Sequence, residues 1–549
     1  MRTINDNSGT LAANLVDIPA RSVRHARVRW HSGLIVSIDV LGDATPELPY
    51  LLPGFIDAHV HVESSMLVPS EFARLAVRHG TVAAVSDPHE IANVLGEAGV
   101  HFMLDNAAAT PFHFLFGAPA CVPATPFETA GATLDVAAVE RLLDTPGIGY
   151  LSEMMNFPGV LAGDAEVLAK IAAARVRGLP VDGHAPGLRG DAAVRYATAG
   201  ISTDHECANL VEAQEKLAAG MHILIREGSA ARDFETLHPL IDTHPGQLMF
   251  CSDDKHPDDL AAGHIDRLAA RAMAAGHDLF DVLTVACLNP ITHYRLAVGQ
   301  LRLGDPFDAV LVADLTDFQH RATWLAGVKA AESGTSLLPS VAVTTRNVWH
   351  ARPIDRSDLE IADSGRPVRV IEVCDGELLT RASSARPHGF AGRLAPDPTT
   401  DLALLLVMNR YQPSPPALAF VKGFGLQRGA LASSVAHDSH NIVAVGADLD
   451  DLVAAINAVV ASRGGIAVAD NGAVSLLALP VAGLMSDCDG DSVASRYAAL
   501  DRRAHALGAS LRAPFMTLSF MALLVIPELK LSDRGLFDAR SFSFVDLTI

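Results

Sequence analysis

The sequence predicts an α/β protein built on a (β/α)8 barrel of the TIM type, with a small β-sandwich domain and a C-terminal α+β domain. Three observations lead to this prediction. Apolar runs preceded by Gly or Pro alternate with Ala-rich helical segments over residues 51–276. Eight such runs can be counted, and eight βα units close a barrel of about 250 residues. A weakly alternating pattern lies on both sides of this region, and the pattern changes again near residue 339.

Composition limits the class of protein. The 549 residues allow two or three domains, each with its own core. Forty-two basic and 63 acidic residues give a net charge of −21, which repels nucleic-acid phosphates and anionic membrane surfaces. The longest uncharged runs are shorter than the ~20 residues of a membrane-spanning helix. We therefore predict no nucleic-acid partner and no membrane partner.

Two features of the sequence predict a cytoplasmic location. The six cysteines are scattered without a C-x-x-C motif, which is typical of reduced thiols and not of a disulfide framework. The first ten residues, MRTINDNSGT, lack the basic region and apolar core of a secretory signal.

The chain begins with short strands. Residues 1–52 alternate weakly between apolar and polar, as antiparallel strands do. A similar pattern returns at residues 299–338. We predict that these flanks pair into one small β domain and that the barrel, residues 53–298, is inserted between them.

The barrel strands are predicted from eight apolar runs, the first of which starts with a strand at residues 51–56. The runs are residues 51–61, 80–90, 112–122, 147–157, 178–187, 200–207, 220–229 and 246–257. Helices are expected between them, for example at residues 164–178 and 258–276. Polar side chains follow nearly every run. Because the carboxyl ends of barrel strands meet at one mouth, we expect these side chains to converge there.

Residues 339–549 are predicted to form the α+β domain. Its strand-like runs are residues 340–351, 367–379, 402–411, 417–425, 441–448 and 465–472, with a helix at residues 449–462. A polar segment, AHDSHN, carries His437, Asp438 and His440. These side chains could form a metal site or a lid group that reaches the barrel mouth. A solvated turn stabilised by Asp and Ser side chains is an equal alternative.

A metal centre is predicted from the polar residues at the mouth. His59 and His61 are one residue apart at a strand end, so both imidazoles point the same way, although backbone carbonyls could also satisfy them. Zn, Mn and Fe accept mixed His and carboxylate ligands, and two ions bridged by a carboxylate and a hydroxide hold a nucleophile at neutral pH. A buried hydrogen-bonded network without metal is the alternative. The predicted sites are His59, His61 and Asp253 for one ion, His184 and His205 for the second, and Glu153 as the bridge.

The motifs also carry a family resemblance. PGFIDAHVHVESS, VSDPHEIANVLG, SEMMNFPGV, DGHAPGL, STDHEC and CSDDKHPDDL resemble the successive motifs of the adenine deaminases, members of the amidohydrolase superfamily. FGLQRGALASSVAHDSHNIVAVGA resembles the extra C-terminal domain of that family. Many amidohydrolases bridge their metals with a carboxylated lysine from the fourth strand, whereas this chain has Glu153 there, as the adenine deaminases do.

The resemblance implies hydrolysis of adenine to hypoxanthine and ammonia with two divalent ions, Mn or Fe in the first place and Zn as an alternative. A carboxylate must accept the proton of the attacking water and pass it to the leaving nitrogen, and we assign this role to Asp253. A ring nitrogen must also be protonated. Glu90, with Asp87 and His89 beside it, is the candidate, provided that the site raises the pKa of Glu90. For the SDPHE segment, a turn stabilised by Asp87 is the structural alternative.

Three further residues are predicted to contact the substrate. Asp254 could bind a purine nitrogen or cap the helix that follows. Ser64 could contact the substrate or, with Ser65, cap the first barrel helix. Arg226 faces the mouth by position, although a barrel arginine can also pair with a carboxylate for structural reasons.

Two other functions stay open at this point. One is hydrolysis of a cyclic amide on the same barrel, against which Glu153 argues. The other is a binding protein that has lost catalysis, although all six predicted ligand positions are filled. The expected partners are adenine and water, and a homodimer is expected, with the apolar residues 514–531 as a possible interface.

Overall fold

The computed structural model describes residues 7–549. The chain begins in an eight-stranded sheet, whose first four strands are β1 (Gly9–Asp17), β2 (Ser22–His31), β3 (Leu34–Asp43) and β4 (Tyr50–Pro53). The β2–β3 turn places Gly33 at a φ of 82°, which costs glycine little. Strand β4 lies parallel to β1.

The first predicted strand, residues 51–56, is two strands in the structure. β4 belongs to the small sheet, and β5 (Phe55–Val60) belongs to the barrel. Gly54 separates them, and a Cβ there would lie 2.2 Å from Val82 Cγ1. The chain therefore crosses from one sheet to the other at a residue whose missing side chain permits close packing.

The barrel holds eight parallel strands, as predicted. After β5 they are β6 (Thr81–Ser86), β7 (His113–Ala118), β8 (Ile148–Met154), β9 (Val181–Gly183), β10 (Thr203–Asp204), β11 (His222–Arg226) and β12 (Leu248–Cys251). Ladders join β5 to β9 and β10 to β12. Asp253 N donates to His59 O at 2.9 Å, and Ser202 N donates to Val181 O at 2.8 Å. These bonds bridge both gaps and close the ring.

Helices cover the outside of the barrel. They are α1 (Pro69–Ala76), α2 (His89–Leu95), α3 (Glu97–Ala107), α4 (Val136–Leu143), α5 (Phe157–Ala162), α6 (Ala165–Val176), α7 (Gly190–Thr198), α8 (Leu210–Ala218), α9 (Phe234–Leu237), α10 (Pro257–Ala262), α11 (Ile265–Ala274), α12 (Leu279–Leu283) and α13 (Asn289–Tyr294). The helix predicted at residues 258–276 is broken at Gly263, between α10 and α11. The break lets His264 turn inward, where its Nε2 lies 2.8 Å from Asp57 Oδ2.

The chain then returns to the first sheet. The added strands are β13 (Ala309–Val312), β14 (His320–Leu325), β15 (Val328–Glu332) and β16 (Thr335–Ser336). β13 pairs with β4, so the two flanks of the barrel share one sheet. Its core includes Trp30, whose ring stacks on Phe307 at a centroid distance of 4.0 Å.

A second eight-stranded sheet organises the rest of the chain. The strands of this region, which also include two three-stranded sheets (β17-β21-β20 and β28-β29-β30), are β17 (Ile361–Ala362), β18 (Val368–Val373), β19 (Thr380–Ala385), β20 (Gly389–Phe390), β21 (Arg393–Leu394), β22 (Ala403–Met408), β23 (Ala417–Lys422), β24 (Ala430–Ser433), β25 (Ile442–Gly446), β26 (Gly465–Asp470), β27 (Ala473–Ala478), β28 (Leu529–Ser532), β29 (Gly535–Asp538) and β30 (Ser543–Phe544). The helices are α14 (Leu449–Ser462), α15 (Gly490–Ala506) and α16 (Pro514–Ser519). The large sheet has the order β19-β18-β23-β22-β25-β24-β26-β27.

The strand predicted at residues 340–351 is wrong. This segment forms only separate backbone bonds, such as His350 N to Arg410 O at 2.7 Å. The segment pairs with neither edge strand of the large sheet, β19 or β27, so no ladder holds it as a strand.

The C-terminal region lies directly on the barrel. Ser486 N donates to Met66 O at 2.8 Å, and Gly490 N, at the start of α15, donates to Glu71 Oε2 on α1 at 3.1 Å. The Tyr497 ring on α15 meets the His256 ring at 4.6 Å. These contacts place the loops of the C-terminal region over the barrel mouth.

All six cysteines lie within the described residues and are free thiols, as predicted. Within residues 7–549, no helix has both the length and the apolar character needed to cross a membrane.

Candidate active site

The predicted metal ligands come from five barrel strands and meet at their carboxyl ends. His59 lies in β5 and His61 directly after it, Glu153 lies in β8, and the others follow β9, β10 and β12, namely His184, His205 and Asp253. All six are buried. Parallel strands present their carboxyl ends at one edge of a barrel, which explains why residues so far apart in sequence converge.

Glu153 lies at the centre of this group. Its Oε2 is 2.9 Å from His184 Nδ1 and 3.0 Å from His205 Nε2, and its Oε1 is 3.7 Å from His61 Nε2. Burial raises the pKa of Glu153, but the imidazoles of His184 and His205 outweigh this effect and hold it well below its usual range. Glu153 is therefore a carboxylate that faces several imidazoles at once.

Asp253 joins the first histidine pair. Its Oδ1 lies 3.2 Å from His61 Nε2 and 3.6 Å from His59 Nε2. The second ring nitrogen of His61, Nδ1, lies 3.1 Å from the carbonyl oxygen of Asp87. A proton on Nδ1 would make that hydrogen bond and leave the Nε2 lone pair free for a metal ion.

The residues fit a divalent metal centre. Both ring nitrogens of His59 are buried without a hydrogen-bond partner, a costly arrangement that a bound ion would relieve. Three overlapping ligand sets have donor atoms within 4.8 Å of one another: His59, His61 and Asp253; His59, Glu153 and His205; and His184, His205 and Glu206. Imidazole and carboxylate together suit Zn, Mn and Fe.

A fourth set extends toward the second strand. His61, Asp87, His89 and Glu153 also have donor atoms within 4.8 Å of one another. His89 Nδ1 lies 3.2 Å from Asp87 Oδ2 and 3.6 Å from Glu153 Oε1. Asp87 Oδ1 in turn accepts a hydrogen bond from His89 N at 3.1 Å. The predicted catalytic residues Asp87 and His89 are thus brought beside Glu153, the predicted bridge.

Three carboxylates surround the guanidinium of Arg226. Its Nη1 donates to Glu206 and, at 2.9 Å, to Asp253 Oδ2, and its Nε donates to Asp233 Oδ2 at 3.1 Å. Its guanidinium contacts three carboxylates and also lines the cavity, so the substrate contact stays a prediction. The contacts favour the alternative, in which Arg226 holds Asp253 in place.

Glu90 is held by the C-terminal region. His437 Nδ1 lies 2.5 Å from Glu90 Oε1, and His440 Nε2 contacts the other carboxylate oxygen. Although burial raises the pKa of Glu90, the charges of His437, His89 and His440 hold it well below its usual range. The expected rise in the pKa of Glu90 is therefore wrong, because imidazoles surround it instead of carboxylates.

The AHDSHN segment is a buried part of the site. His437, Asp438 and His440 are all buried, so the alternative of a solvated turn is wrong. Asp438 Oδ1 lies 3.8 Å from His89 Nε2, and a fifth ligand set consists of His89, Glu90 and Asp438. The segment therefore reaches the barrel mouth, as the lid alternative predicted.

Asp254 and Ser64 lie together beside the metal ligands. Ser64 Oγ donates to Asp254 Oδ1 at 2.5 Å, and burial raises the pKa of Asp254, helped by the neighbouring Asp253 charge. Neither residue makes the cap that was the alternative. Helix α10 starts at Pro257 without a side-chain cap, and α1 starts at Pro69 in the same way. Asp254 lines the cavity and remains available to a ligand.

A buried ion pair supports the ligands of β9 and β10. Lys216, on α8, is fully buried and donates to Asp204 Oδ2 at 3.1 Å, to Glu212 Oε1 at 2.8 Å and to Ala185 O at 2.7 Å. Asp204 directly precedes His205, and Ala185 directly follows His184. Lys216 thus fixes the chain next to both His184 and His205, although it touches no ligand atom itself.

The cavity above these residues is closed by apolar side chains, which we call the roof: Ala230, Leu378, Phe520, Leu523 and Ile526. All except Ala230 come from the C-terminal region. The Phe520 ring stacks on His437 at a centroid distance of 4.7 Å and an interplanar angle of 16°. The cavity between the roof and the predicted metal ligands is polar below and apolar above.

Comparison with known proteins agrees with this geometry. Residues 50–348 match the model of the amidohydrolase family, and residues 377–543 match that of the adenine deaminase C-terminal domain. The adenine deaminase of Salinibacter ruber is 56% identical over 541 residues, covering 98% of this chain and 99% of the relative. That of Sulfurovum sp. is 54% identical over 538 residues, with coverage of 98% and 99%. The chain belongs to the adenine deaminase family.

Membership of the adenine deaminase family confirms the family predicted from the motifs, and the amidohydrolase match confirms the predicted fold class. The amidohydrolase family also implies a divalent metal. Among solved structures, a beta-aspartyl dipeptidase from Fervidobacterium islandicum covers 59% of this chain and 97% of its own, with 16% identity and a TM-score of 0.44.

Some site residues were missed by the sequence analysis. Glu206 contacts Arg226 and lies 3.7 Å from both His184 Nδ1 and His205 Nε2. Its position directly after His205, at a strand end, was the signal that could have found it. The roof had no such signal, because Leu378 and Phe520 are ordinary apolar residues in a distant part of the chain.

Proposed function

We propose that this chain hydrolyses adenine to hypoxanthine and ammonia. The observation that supports the proposal most is the convergence of four histidines and two carboxylates around one point, in a member of the adenine deaminase family. We assign two divalent ions to this point, Mn or Fe in the first place and Zn as an alternative. His59, His61 and Asp253 would hold one ion, His184 and His205 the other, and Glu153 would bridge them.

Bound divalent ions would supply Lewis acidity and make a water molecule acidic enough to act as a nucleophile at neutral pH. The residues around them supply proton transfer. Asp253 accepts the proton of the attacking water and passes it to the nitrogen that leaves from the purine ring as ammonia. Arg226 keeps the carboxylate of Asp253 in place, with its Oδ2 2.9 Å from the guanidinium.

The ring nitrogen next to the reacting carbon takes up charge as water adds, and we assign its protonation to Glu90. Glu90 and His437 share a contact of 2.5 Å, and the charges of Glu90 and other carboxylates raise the pKa of His437 to about 9 despite burial. The pair therefore holds a proton at neutral pH on His437, and Glu90, itself a carboxylate, relays this proton from His437 to the ring nitrogen. Asp87 and His89 hold this pair beside Glu153.

The other proposed substrate contacts come from residues that line the cavity. Asp254, supported by the Ser64 hydroxyl, faces the cavity and is proposed to bind a purine nitrogen. The roof covers the flat face of an aromatic ring, which suits a free base.

Ammonia release from adenine tests the proposal. The metal-loaded protein should release ammonia from adenine and form hypoxanthine in equal amounts, measured by a coupled ammonia assay and by chromatography. Adenosine, cytosine, guanine and a cyclic amide such as dihydrouracil are the comparison substrates. Conversion of the cyclic amide to its ring-opened acid, which chromatography detects and which releases no ammonia, without turnover of adenine would favour the alternative hydrolase. No turnover of any substrate with full metal occupancy would favour a binding protein.

The homodimer, the cytoplasmic location and the domain limits at residues 1–52 with 299–338, 53–298 and 339–549 stay predictions. Size-exclusion chromatography with light scattering tests the homodimer.

A further inference from the structure

Lys530 is a fully buried residue whose amine contacts two residues of the roof. It lies in β28, is 0% exposed, and forms no ion pair with any carboxylate of the described residues. Burying an ammonium group without a counter-charge is costly, and here burial lowers the pKa of Lys530 to about 7. The hydrogen bonds of the amine must therefore compensate for the cost of burying it.

The amine has two partners, and both belong to the roof. Lys530 Nζ donates to Leu378 O at 2.9 Å and to Phe520 O at 3.0 Å. Leu378 lies in the loop between β18 and β19, and Phe520 follows α16, so the two segments are far apart in sequence. Leu378 O accepts no other hydrogen bond among the described residues, whereas Phe520 O also accepts from Leu523 N at 3.3 Å. One amine therefore joins two roof segments that share no strand pairing.

The position of Phe520 bears on the chemistry below it. Its ring stacks on His437, and His437 contacts Glu90. Phe520, Leu523 and Ile526 also form one apolar cluster with Ala230 of the barrel. A displacement of the roof would thus change both the space above the substrate and the packing of the imidazole that supports Glu90.

We propose that Lys530 is a positioning residue that fixes the roof over the substrate and so sets how tightly the base is bound. This inference rests on the proposed adenine deamination. Lys530 does not line the cavity, and its donors are taken by carbonyls, so it takes no part in the proton transfers. Its effect is on the bound state of the substrate, transmitted through Leu378 and Phe520.

Lys530→Met tests the proposal, because methionine keeps the length of the side chain and removes the donors. We expect KM for adenine to rise about 10-fold, kcat to fall by less than about 3-fold and metal content to stay unchanged. Hydrogen–deuterium exchange of residues 513–526 should become faster, while exchange of the barrel strands stays as in the wild type. If Lys530→Met does not fold, Lys530→Gln, which keeps one N–H donor group, is measured in the same way.

Lys170→Met is the matched control. Lys170 is also buried and donates to a backbone carbonyl, Ala120 O at 3.2 Å, but Ala120 does not line the cavity. This variant should lose stability without a change in KM. An unchanged KM and unchanged exchange of residues 513–526 in the Lys530 variant would overturn the proposal, as would a collapse of kcat accompanied by metal loss. Absence of ammonia release by the wild type would instead refute the proposed function, and the exchange data would still decide whether Lys530 fixes the roof.

Discussion

At the scale of single residues, Glu90 separates catalysis from metal binding. Glu90→Gln keeps the size of the side chain but removes the carboxylate that faces His437 and His440. Because general acid–base groups contribute about 10²–10⁴-fold, we expect turnover of adenine to fall by about that factor. Metal content, measured by inductively coupled plasma mass spectrometry, should stay at the wild-type value.

Glu153→Gln provides the contrast for this prediction. Glu153 touches His184 and His205 and is the proposed bridge, so its replacement should reduce turnover and metal content together. If Glu90→Gln also loses metal, Glu90 must be reassigned as a ligand, for which the set with His89 and Asp438 offers a place.

Most of the predicted site residues could be found from the sequence because their signal is local. His59 and His61 are one residue apart at one strand end, and each of the other predicted ligands lies at the end of an apolar run. The role of Arg226 could not be found in this way, since it depends on Glu206, Asp233 and Asp253 meeting in space. The direction of the pKa shift of Glu90 failed for the same reason, because His437 lies 347 residues away.

At the scale of elements, Lys216 of α8 connects the strands that carry two ligands. Lys216→Met leaves the buried carboxylates of Asp204 and Glu212 without their cation. Breaking a buried ion pair costs about 3–5 kcal/mol, and loss of a group that supports metal ligands lowers metal affinity about 10–100-fold. Urea unfolding and metal titration with a chelating competitor measure these two effects.

Arg189→Met is the control for this prediction. Arg189 pairs at 2.8 Å with Glu215 of α8, the helix that also carries Lys216, but this pair lies on the surface. Exposed pairs contribute about 0–1 kcal/mol, so this variant should have near wild-type stability and metal affinity. A Lys216 variant as stable as the Arg189 variant would show that the buried pair does not hold β9 and β10.

The elements differ in how well periodicity predicts them. The eight barrel strands were found because buried parallel strands are continuous apolar runs bounded by Gly or Pro. The strand at residues 340–351 was wrong although its composition favours a strand, because a strand needs a ladder partner and this segment joins none of the sheets. Gly54 and Gly263 lie where elements end although the apolar pattern alone would continue them. Gly54 permits close packing of the chain, and the break at Gly263 lets His264 turn inward.

At the scale of the whole molecule, the site is shared between two parts of the chain. The barrel supplies the proposed metal ligands, and the C-terminal region supplies His437, His440 and most of the roof. The apolar residues 514–531, for which a dimer interface stays a prediction, include Phe520, Leu523 and Ile526, which cover the cavity. Periodicity reports which residues are buried but not what they are buried against, so this arrangement could not be predicted from the sequence.

Removal of the metal should therefore affect activity far more than the fold. The barrel, the small sheet and the C-terminal region each have cores that do not include the ligands. Far-UV circular dichroism of the chelated protein should match that of the loaded protein, while ammonia release from adenine is lost. Ions that bind only the folded chain stabilise it by about 4 kcal/mol at 1,000 times Kd, so the melting temperature should fall by several degrees on chelation.

Adding back Mn, Fe or Zn separately should restore both activity and melting temperature, and the number of ions needed per chain tests the assignment of two. The proposed ligand set holds three carboxylates and four imidazoles when Glu206 is included, so removal of cations leaves the carboxylates with only the imidazoles and Arg226 to compensate their charge. The loss of stability should for this reason be smaller in Glu153→Gln, where one of those charges is already gone. Full activity in protein with less than about one ion per ten chains would contradict the metal-dependent mechanism.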